Sequence, residues 1–146
     1  KNLINKIKEF IENEKYFLGI CSGMQFLFQT SEESKSSKGL GIIDGDVRKF
    51  DYKICGKVPL IGKKKIIINK IFLKDLLLQD IKNEEFYFLH SYHCKTPKEN
   101  ELTSTNYDEF NFTSSVKKGK VYGVQFHPEK SHDQGIRLFQ NFINLK

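Results

Sequence analysis

The chain has 146 residues, enough for one domain, and 38% of them are hydrophobic, with ten glycines besides. That composition excludes a disordered chain, and apolar runs such as Tyr16–Ile20 and Ile66–Ile68 are far short of the roughly 20 residues that span a bilayer. The net charge of +6 is almost all lysine, because Arg48 and Arg137 are the only arginines. Nucleic-acid sites favour the planar arginine fork, and these lysines are scattered apart from Lys63–Lys65, so they read as solvated surface. Neither a nucleic acid nor a membrane is expected as a partner. Cys21, Cys55 and Cys94 are odd in number and irregular in spacing, which gives no disulfide framework. Reduced thiols and a cytoplasmic location are expected. The first helical segment is charged throughout, unlike a secretory leader.

In chain order, Leu3, Ile4, Ile7, Phe10 and Ile11 recur at helical spacing and predict an amphipathic helix ending near Asn13. Tyr16–Ile20 reads as a short buried parallel strand, and a second helix is expected from Ser22 through Phe28. Residues 31–38 are polar and loop-like, and Gly39–Phe50 reads as extended pieces broken at Asp44-Gly45. Ile66–Ile68 predicts a brief strand, Phe72–Ile81 a short helix, and Phe86–Tyr92 another strand. Leu102–Tyr107, Phe110–Val116 and Val121–Phe126 predict an antiparallel meander with turns at Asp108-Glu109 and Lys117–Lys120. A last helix opens near Ser131 or Asp133, with Ile136, Phe139 and Ile143 on one side, widened by Leu138, Phe142 and Leu145. One α/β domain over 1–146 accounts for all of this.

Gly19-Ile20-Cys21-Ser22-Gly23 stands where an apolar strand passes into a helix. That is the layout of a nucleophile elbow, a sharp turn that lifts a side chain to the carboxyl edge of a sheet. Glycines two before and two after relieve collisions with strand and helix, and the helix N-terminus is expected to lower the thiol's pKa. Downstream, the strand Val121–Phe126 runs into His127-Pro128-Glu129. Residues two apart in an extended segment face the same side, so Glu129 can accept the N–H of His127 and leave its other nitrogen toward a thiol. Cys21, His127 and Glu129 thus fit the roles of nucleophile, base and orienting carboxylate. His90, His93 and Cys94 are not expected to hold a metal, since positions 90 and 93 point to opposite faces of a strand. Cys55 and His132 are read as incidental and surface residues.

The motifs Gly19-Ile20-Cys21-Ser22-Gly23-Met24-Gln25, His90-Ser91-Tyr92 and Gly123-Val124-Gln125-Phe126-His127-Pro128-Glu129-Lys130-Ser131 resemble those of class I (triad) glutamine amidotransferases. Within that family the likeness is greatest to the glutaminase subunits of imidazole glycerol phosphate synthase, helped by Gly39-Leu40-Gly41, Lys57-Val58-Pro59 and Lys118-Gly119 in the same order. The resemblance implies a flavodoxin-like sheet flanked by helices, with the meander near the C-terminus. It implies that Cys21 attacks the side-chain amide of glutamine, that His127 protonates the leaving ammonia, and that water hydrolyses the thioester. It also implies a (β/α)8 cyclase partner that receives the ammonia in histidine biosynthesis, met through a surface including Lys63 and Lys130. By motif position, Gln25 and the backbone around Ser91 and Tyr92 would hold the substrate's amino-acid end, and the Ser22 N–H would be an oxyanion donor. No cofactor and no metal are implied.

Two departures from that family's pattern stand out. Its members open with a strand–helix–strand portion and a glycine-rich loop carrying the other oxyanion donor, and the segment Leu3–Ile11 is not preceded by them here. On this reading the isolated chain is expected to be a weak glutaminase with a sticky strand at Tyr16–Ile20. After Pro59 the family usually has His-Met-Gly-Trp-Asn, whereas this chain has Leu60-Ile61-Gly62-Lys63-Lys64. Two alternatives follow: an amidotransferase serving a different synthase, for instance in sugar modification, or a catalytically silent binding subunit.

Overall fold

In the computed structural model, which describes residues 2–34, 36, 38–81 and 84–146, α1 (Asn2–Glu12) leads into β1 (Phe17–Ile20) and the short α2 (Ser22–Gln25). There follow β2 (Thr30–Ser31), β3 (Asp46–Lys49), α3 (Tyr52–Cys55), β4 (Leu60–Lys65) and β5 (Ile67–Ile68). Two 3-10 turns, Lys70–Phe72 and Leu76–Leu78, precede β6 (Glu85–His90), β7 (Tyr92–Lys95), β8 (Glu101–Tyr107), β9 (Phe110–Lys118) and β10 (Val121–Val124). A 3-10 turn at Pro128–Lys130 and α4 (His132–Ile143) complete the order.

The main sheet runs β1-β10-β9-β7-β3-β2, with β8 on β9 and β5 on β8, while β4 pairs with β6 in a separate ribbon. β1 and β10 are parallel, with Gly19 opposite Gly123 and Ile20 opposite Val124. Both strands therefore end at the same edge, and whatever follows each of them in sequence meets there. One face of the sheet carries a core that includes Phe88, Phe112, Tyr122, Val124, Phe126 and Leu138. The other carries Met24, Leu27, Phe28, Val47, Cys94 and Val116, against which α1 sets Ile7 and Ile11. Leu3, Ile4 and Phe10 of α1 stay exposed, and β1 is hydrogen-bonded to β10 alone among the described strands. No described helix is long and apolar enough to cross a membrane.

The α/β class and the meander agree with the sequence reading, but several local expectations do not. The second helix ends at Gln25, where the bonds tighten to Leu27 N–H on the Met24 carbonyl and Phe28 N–H on the Gln25 carbonyl. It does not resume because the carbonyls of Phe26, Leu27 and Phe28 accept from the N–H groups of Leu40, Ile42 and Gly41. That strap runs so close that a Cβ on Gly39 would lie 1.9 Å from the Phe28 oxygen. The helix expected over 72–81 is instead two 3-10 turns, because the side chains of Asn69 and Asp75 each cap a new turn at Ile71 and Leu77. β4 had no counterpart in the sequence reading, since its lysines hide the alternation. Leu60 points inward, and Lys64 lays its stem inward to set Nζ 5.2 Å from the Tyr107 ring centre. α4 is rotated relative to expectation. Gly135, Leu138 and Phe142 face the core, leaving Ile136 and Ile143 exposed, because Asn141 donates to the carbonyls of Leu77 and Gln79.

Asp75 ties the second 3-10 turn to the sheet. Its side chain is 2% exposed, accepts from the Leu77 N–H at 3.0 Å, pairs with the Lys117 ammonium, and lies 3.4 Å from the Tyr122 hydroxyl. Removing one partner of a buried pair leaves the other charge uncompensated, which typically costs about 3–5 kcal/mol. Asp75→Ala is expected to lower unfolding stability by about that amount in urea titrations. An unchanged urea midpoint would mean that Lys117 finds water instead.

Candidate active site

Cys21 follows the last residue of β1 and donates its backbone N–H to the Val124 carbonyl at 2.8 Å, which extends the parallel ladder by one step. It then turns sharply, with φ 52° and ψ −110°. A non-glycine residue in this region is strained, and such strain persists only where the surroundings over-determine it. Here they do: a Cβ on Gly19 would sit 2.5 Å from the Gly23 oxygen, so only glycine lets the chain fold back on β1. The steric reading of Gly23 itself is not upheld, because a Cβ there meets nothing within 4 Å.

β10 delivers the second half. Phe126 is fully buried and stacks on Phe86 with ring centres 4.1 Å apart, which fixes the start of His127-Pro128-Glu129. His127 donates its N–H to the Tyr87 carbonyl at 2.8 Å, and its own carbonyl accepts from the Ser131 hydroxyl at 2.6 Å. That hydroxyl also accepts from the Tyr87 N–H at 3.0 Å, so one buried serine, which the sequence reading gave no role, clamps both strands. Nδ1 of His127 lies 2.6 Å from Glu129 Oε1, the pairing expected from the two-residue spacing. With that nitrogen facing a carboxylate, Nε2 presents its lone pair. Nε2 is buried and has no hydrogen-bond partner among the described residues.

The thiol of Cys21 is half-buried, lying 3.9 Å from the Leu89 carbonyl and 3.7 Å from Nε2 of Gln125. Burial pushes its pKa above the ordinary thiol value, against the lowering by the Ser22 N–H and the Gln125 amide, and the Glu129 charge adds to the rise. The expected lowering by a helix N-terminus is thus overridden by desolvation. Beside the elbow, Ser22, Gln25, Phe28, Glu33, Lys38 and Gly39 line a cavity of about 150 Å³. Glu33 was not singled out from sequence. Its charge reaches Cys21 and it offers a carboxylate to a cationic group in this cleft. Gln25 does not stand free: its Nε2 donates to the Tyr92 carbonyl at 3.1 Å and to Oε1 of Gln125 at 3.0 Å.

A family model described as "Glutamine amidotransferase class-I" matches residues 1–145. The chain belongs to that family. The imidazole glycerol phosphate synthase subunit HisH of Sulfurimonas denitrificans is 40% identical over 151 residues, covering 100% of this chain and 70% of that protein. HisH of Thermotoga maritima is 37% identical, with 97% and 65% covered. The chloroplastic imidazole glycerol phosphate synthase hisHF of Arabidopsis thaliana is 43% identical over 94% of this chain but only 23% of its own length. The chain therefore spans about two thirds of these HisH proteins and under a quarter of the fused protein. Among solved structures, PurLQS from Thermotoga maritima shares the fold with a TM-score of 0.71 at 17% identity, over 97% of this chain and 67% of that one. A glutamine amidotransferase from the same organism does so at 0.61 and 16%, with 98% and 53% covered.

Within this amidotransferase domain the remaining expected residues fall in two places. Ser91 is the bend between β6 and β7, and Tyr92 turns its carbonyl toward Gln25. Lys63 stands opposite Tyr87 on β4, and Lys130 sets its ammonium 5.6 Å from the centre of the Tyr87 ring. The bend at Ser91 also overturns the alternation argument for the histidines: both His90 and His93 pack on Phe50, at 5.3 and 4.9 Å, while Cys94 faces the opposite core. Nδ1 of His90 contacts the Tyr92 carbonyl at 2.7 Å, and burial lowers its pKa to about 4. The unfolded chain, with an ordinary value of about 6.5, takes up the proton first as pH falls. Stability is thus complete above pH 6.5 and declines as pH falls toward 4, by about 2–3 kcal/mol at pH 4.5. Urea midpoints at pH 7 and 4.5 should show this loss, and His90→Phe should remove that part of it. A wild-type and variant difference that does not change with pH would contradict the buried neutral ring.

Proposed function

We propose that this chain hydrolyses glutamine to glutamate and ammonia and passes the ammonia to a cyclase that forms imidazole glycerol phosphate in histidine biosynthesis. The observation that carries the reading is the His127–Glu129 pair, aligned by the parallel β1–β10 register beside the strained elbow at Cys21. The names of the HisH relatives supply the biosynthetic context. Three free cysteines fit a reducing, cytoplasmic setting.

In this scheme Glu33 receives the substrate's α-ammonium in the cleft and Gln25, which also lines it, holds the amino-acid end. Ser91 and Tyr92, outside that lining, support Gln25 through the Tyr92 carbonyl. His127 Nε2 takes the thiol proton as sulfur attacks the side-chain amide carbon. The Ser22 N–H donates to the oxygen of the tetrahedral intermediate. The C–N bond then breaks and His127 returns the proton to nitrogen, releasing ammonia and leaving a glutamyl thioester. Water, deprotonated by the same imidazole, attacks the thioester; the C–S bond breaks, the imidazolium returns its proton to sulfur, and glutamate is freed. Glu129 keeps its carboxylate on Nδ1 throughout, stabilising the imidazolium in each half.

The outer face of the β4–β6 ribbon is the proposed cyclase contact. It exposes Ile61 and Leu89 beside Lys63, Tyr87 and Lys130, and the Leu89 and Tyr87 carbonyls on the same strand touch Cys21 and His127. A partner bound there would lie against the reacting groups. Glutamate release measured with and without a cyclase partner tests the scheme. Stimulation by the cyclase, lost on Lys130→Glu, is expected. Brisk glutamate release that ignores the cyclase but responds to another ammonia-using synthase would redirect the proposal.

A further inference from the structure

Gln125 follows β10 directly and is fully buried, two residues before the candidate base. Its backbone N–H is spent on the Ser114 carbonyl at 2.9 Å, so its side-chain amide is the donor it has left for the site. The orientation of that side chain is fixed by a chain of bonds with an unambiguous start. The Tyr92 backbone carbonyl can only accept, so the group of Gln25 next to it at 3.1 Å is the NH2. The same NH2 is 3.0 Å from the Gln125 amide, so Gln125 turns its oxygen to Gln25. Its own NH2 is left facing sulfur, at 3.7 Å.

We propose that Gln125 is a further working group of the site, whose side-chain N–H, aimed by Gln25, holds the Cys21 sulfur and supports the negative charge that develops on it. The proposal rests on the glutaminase reading for its purpose, not for its geometry. When the S–H bond breaks, the proton goes to His127 Nε2 and the electron pair stays on sulfur. A buried sulfur anion needs a donor, and the Gln125 amide is placed to be one. The direction in which Gln125 moves the thiol's pKa agrees, since its hydrogen bond lowers a value that burial raises. Because Gln25 also lines the cleft, the same chain of bonds connects the substrate's seat to the nucleophile.

The test is the pH profile of Cys21 alkylation by iodoacetamide, read on the Cys21 peptide by mass spectrometry, in the wild type, Gln125→Met, Gln125→Glu and Gln25→Met. A hydrogen bond to a charged acceptor is worth about tenfold or more in equilibrium. Gln125→Met is therefore expected to move the midpoint upward by about one pH unit, and Gln125→Glu further, because it adds a negative charge. Gln25→Met, which releases the amide from its anchor, should shift it the same way by a smaller step. Coincident profiles for the wild type and Gln125→Met would overturn the proposal. If Gln125→Met does not fold, an unshifted Gln25→Met profile overturns it and a shifted one supports it. Alkylation needs no turnover, so these profiles stay readable even if the wild type releases no glutamate, which would count against the glutaminase reading alone.

Discussion

Cys21→Ser is expected to abolish glutamine hydrolysis and all labelling by the glutamine-analogue alkylator diazo-oxo-norleucine. Cys55 and Cys94 are both buried and neither stands on an elbow, whereas Cys21 is half-exposed beside the cleft. His127→Asn should fall nearly as far, because it removes the proposed acceptor for the thiol proton and the proposed donor to leaving ammonia together. Loss of a group that acts as part of such a unit commonly costs about 10⁴–10⁶ in turnover. Steady-state glutamate release and peptide mapping after labelling read both effects. Label that persists on Cys21→Ser, or brisk turnover by His127→Asn, would show that the reacting groups lie elsewhere.

Glu129→Gln is expected to slow thioester formation by about 10³-fold while leaving the glutamine KM nearly unchanged. The carboxylate touches Nδ1 of His127 at 2.6 Å, leaving Nε2 as the ring's other nitrogen. In the proposed reaction its charge stabilises the imidazolium, and its acceptor character fixes which nitrogen carries the proton. A glutamine amide keeps the size and can present a donor instead, favouring the wrong tautomer. The Glu129 side chain is 47% exposed, so water replaces part of its role, and the loss should be smaller than for His127→Asn. A raised KM with normal turnover would mean that Glu129 binds substrate and does not orient the imidazole.

The geometry of the candidate site was legible in sequence where its parts are local. The glycine-flanked cysteine at a strand end and the two-residue spacing of His127 and Glu129 are short-range signals, and the β1–β10 register brings them to one edge. What depended on distant partners was not legible. α2 is kept from resuming by the strap at Gly39–Ile43, whose sequence gives no sign of claiming the carbonyls of Phe26–Phe28. The facing of α4 is set by Asn141 reaching carbonyls more than sixty residues away. His90 and His93 share a side only because Ser91 interrupts the strand alternation. Glu33 sits in a polar stretch that reads as loop and gains meaning only from the cleft it lines. Gln125 looked like one more residue of a motif until its neighbours fixed which end of its amide faces sulfur.

The raised pKa of the resting thiol has a consequence for how long the protein lasts. Peroxides attack the thiolate, and the products beyond sulfenic acid are not recovered by ordinary reductants. Desolvation favours the protonated thiol of Cys21, even though the elbow already holds its backbone in a strained turn. In the proposed reaction the elbow shapes the nucleophile in advance, and negative charge develops on sulfur only as its proton passes to His127. An idle molecule presents oxidants with a sulfur that they attack slowly.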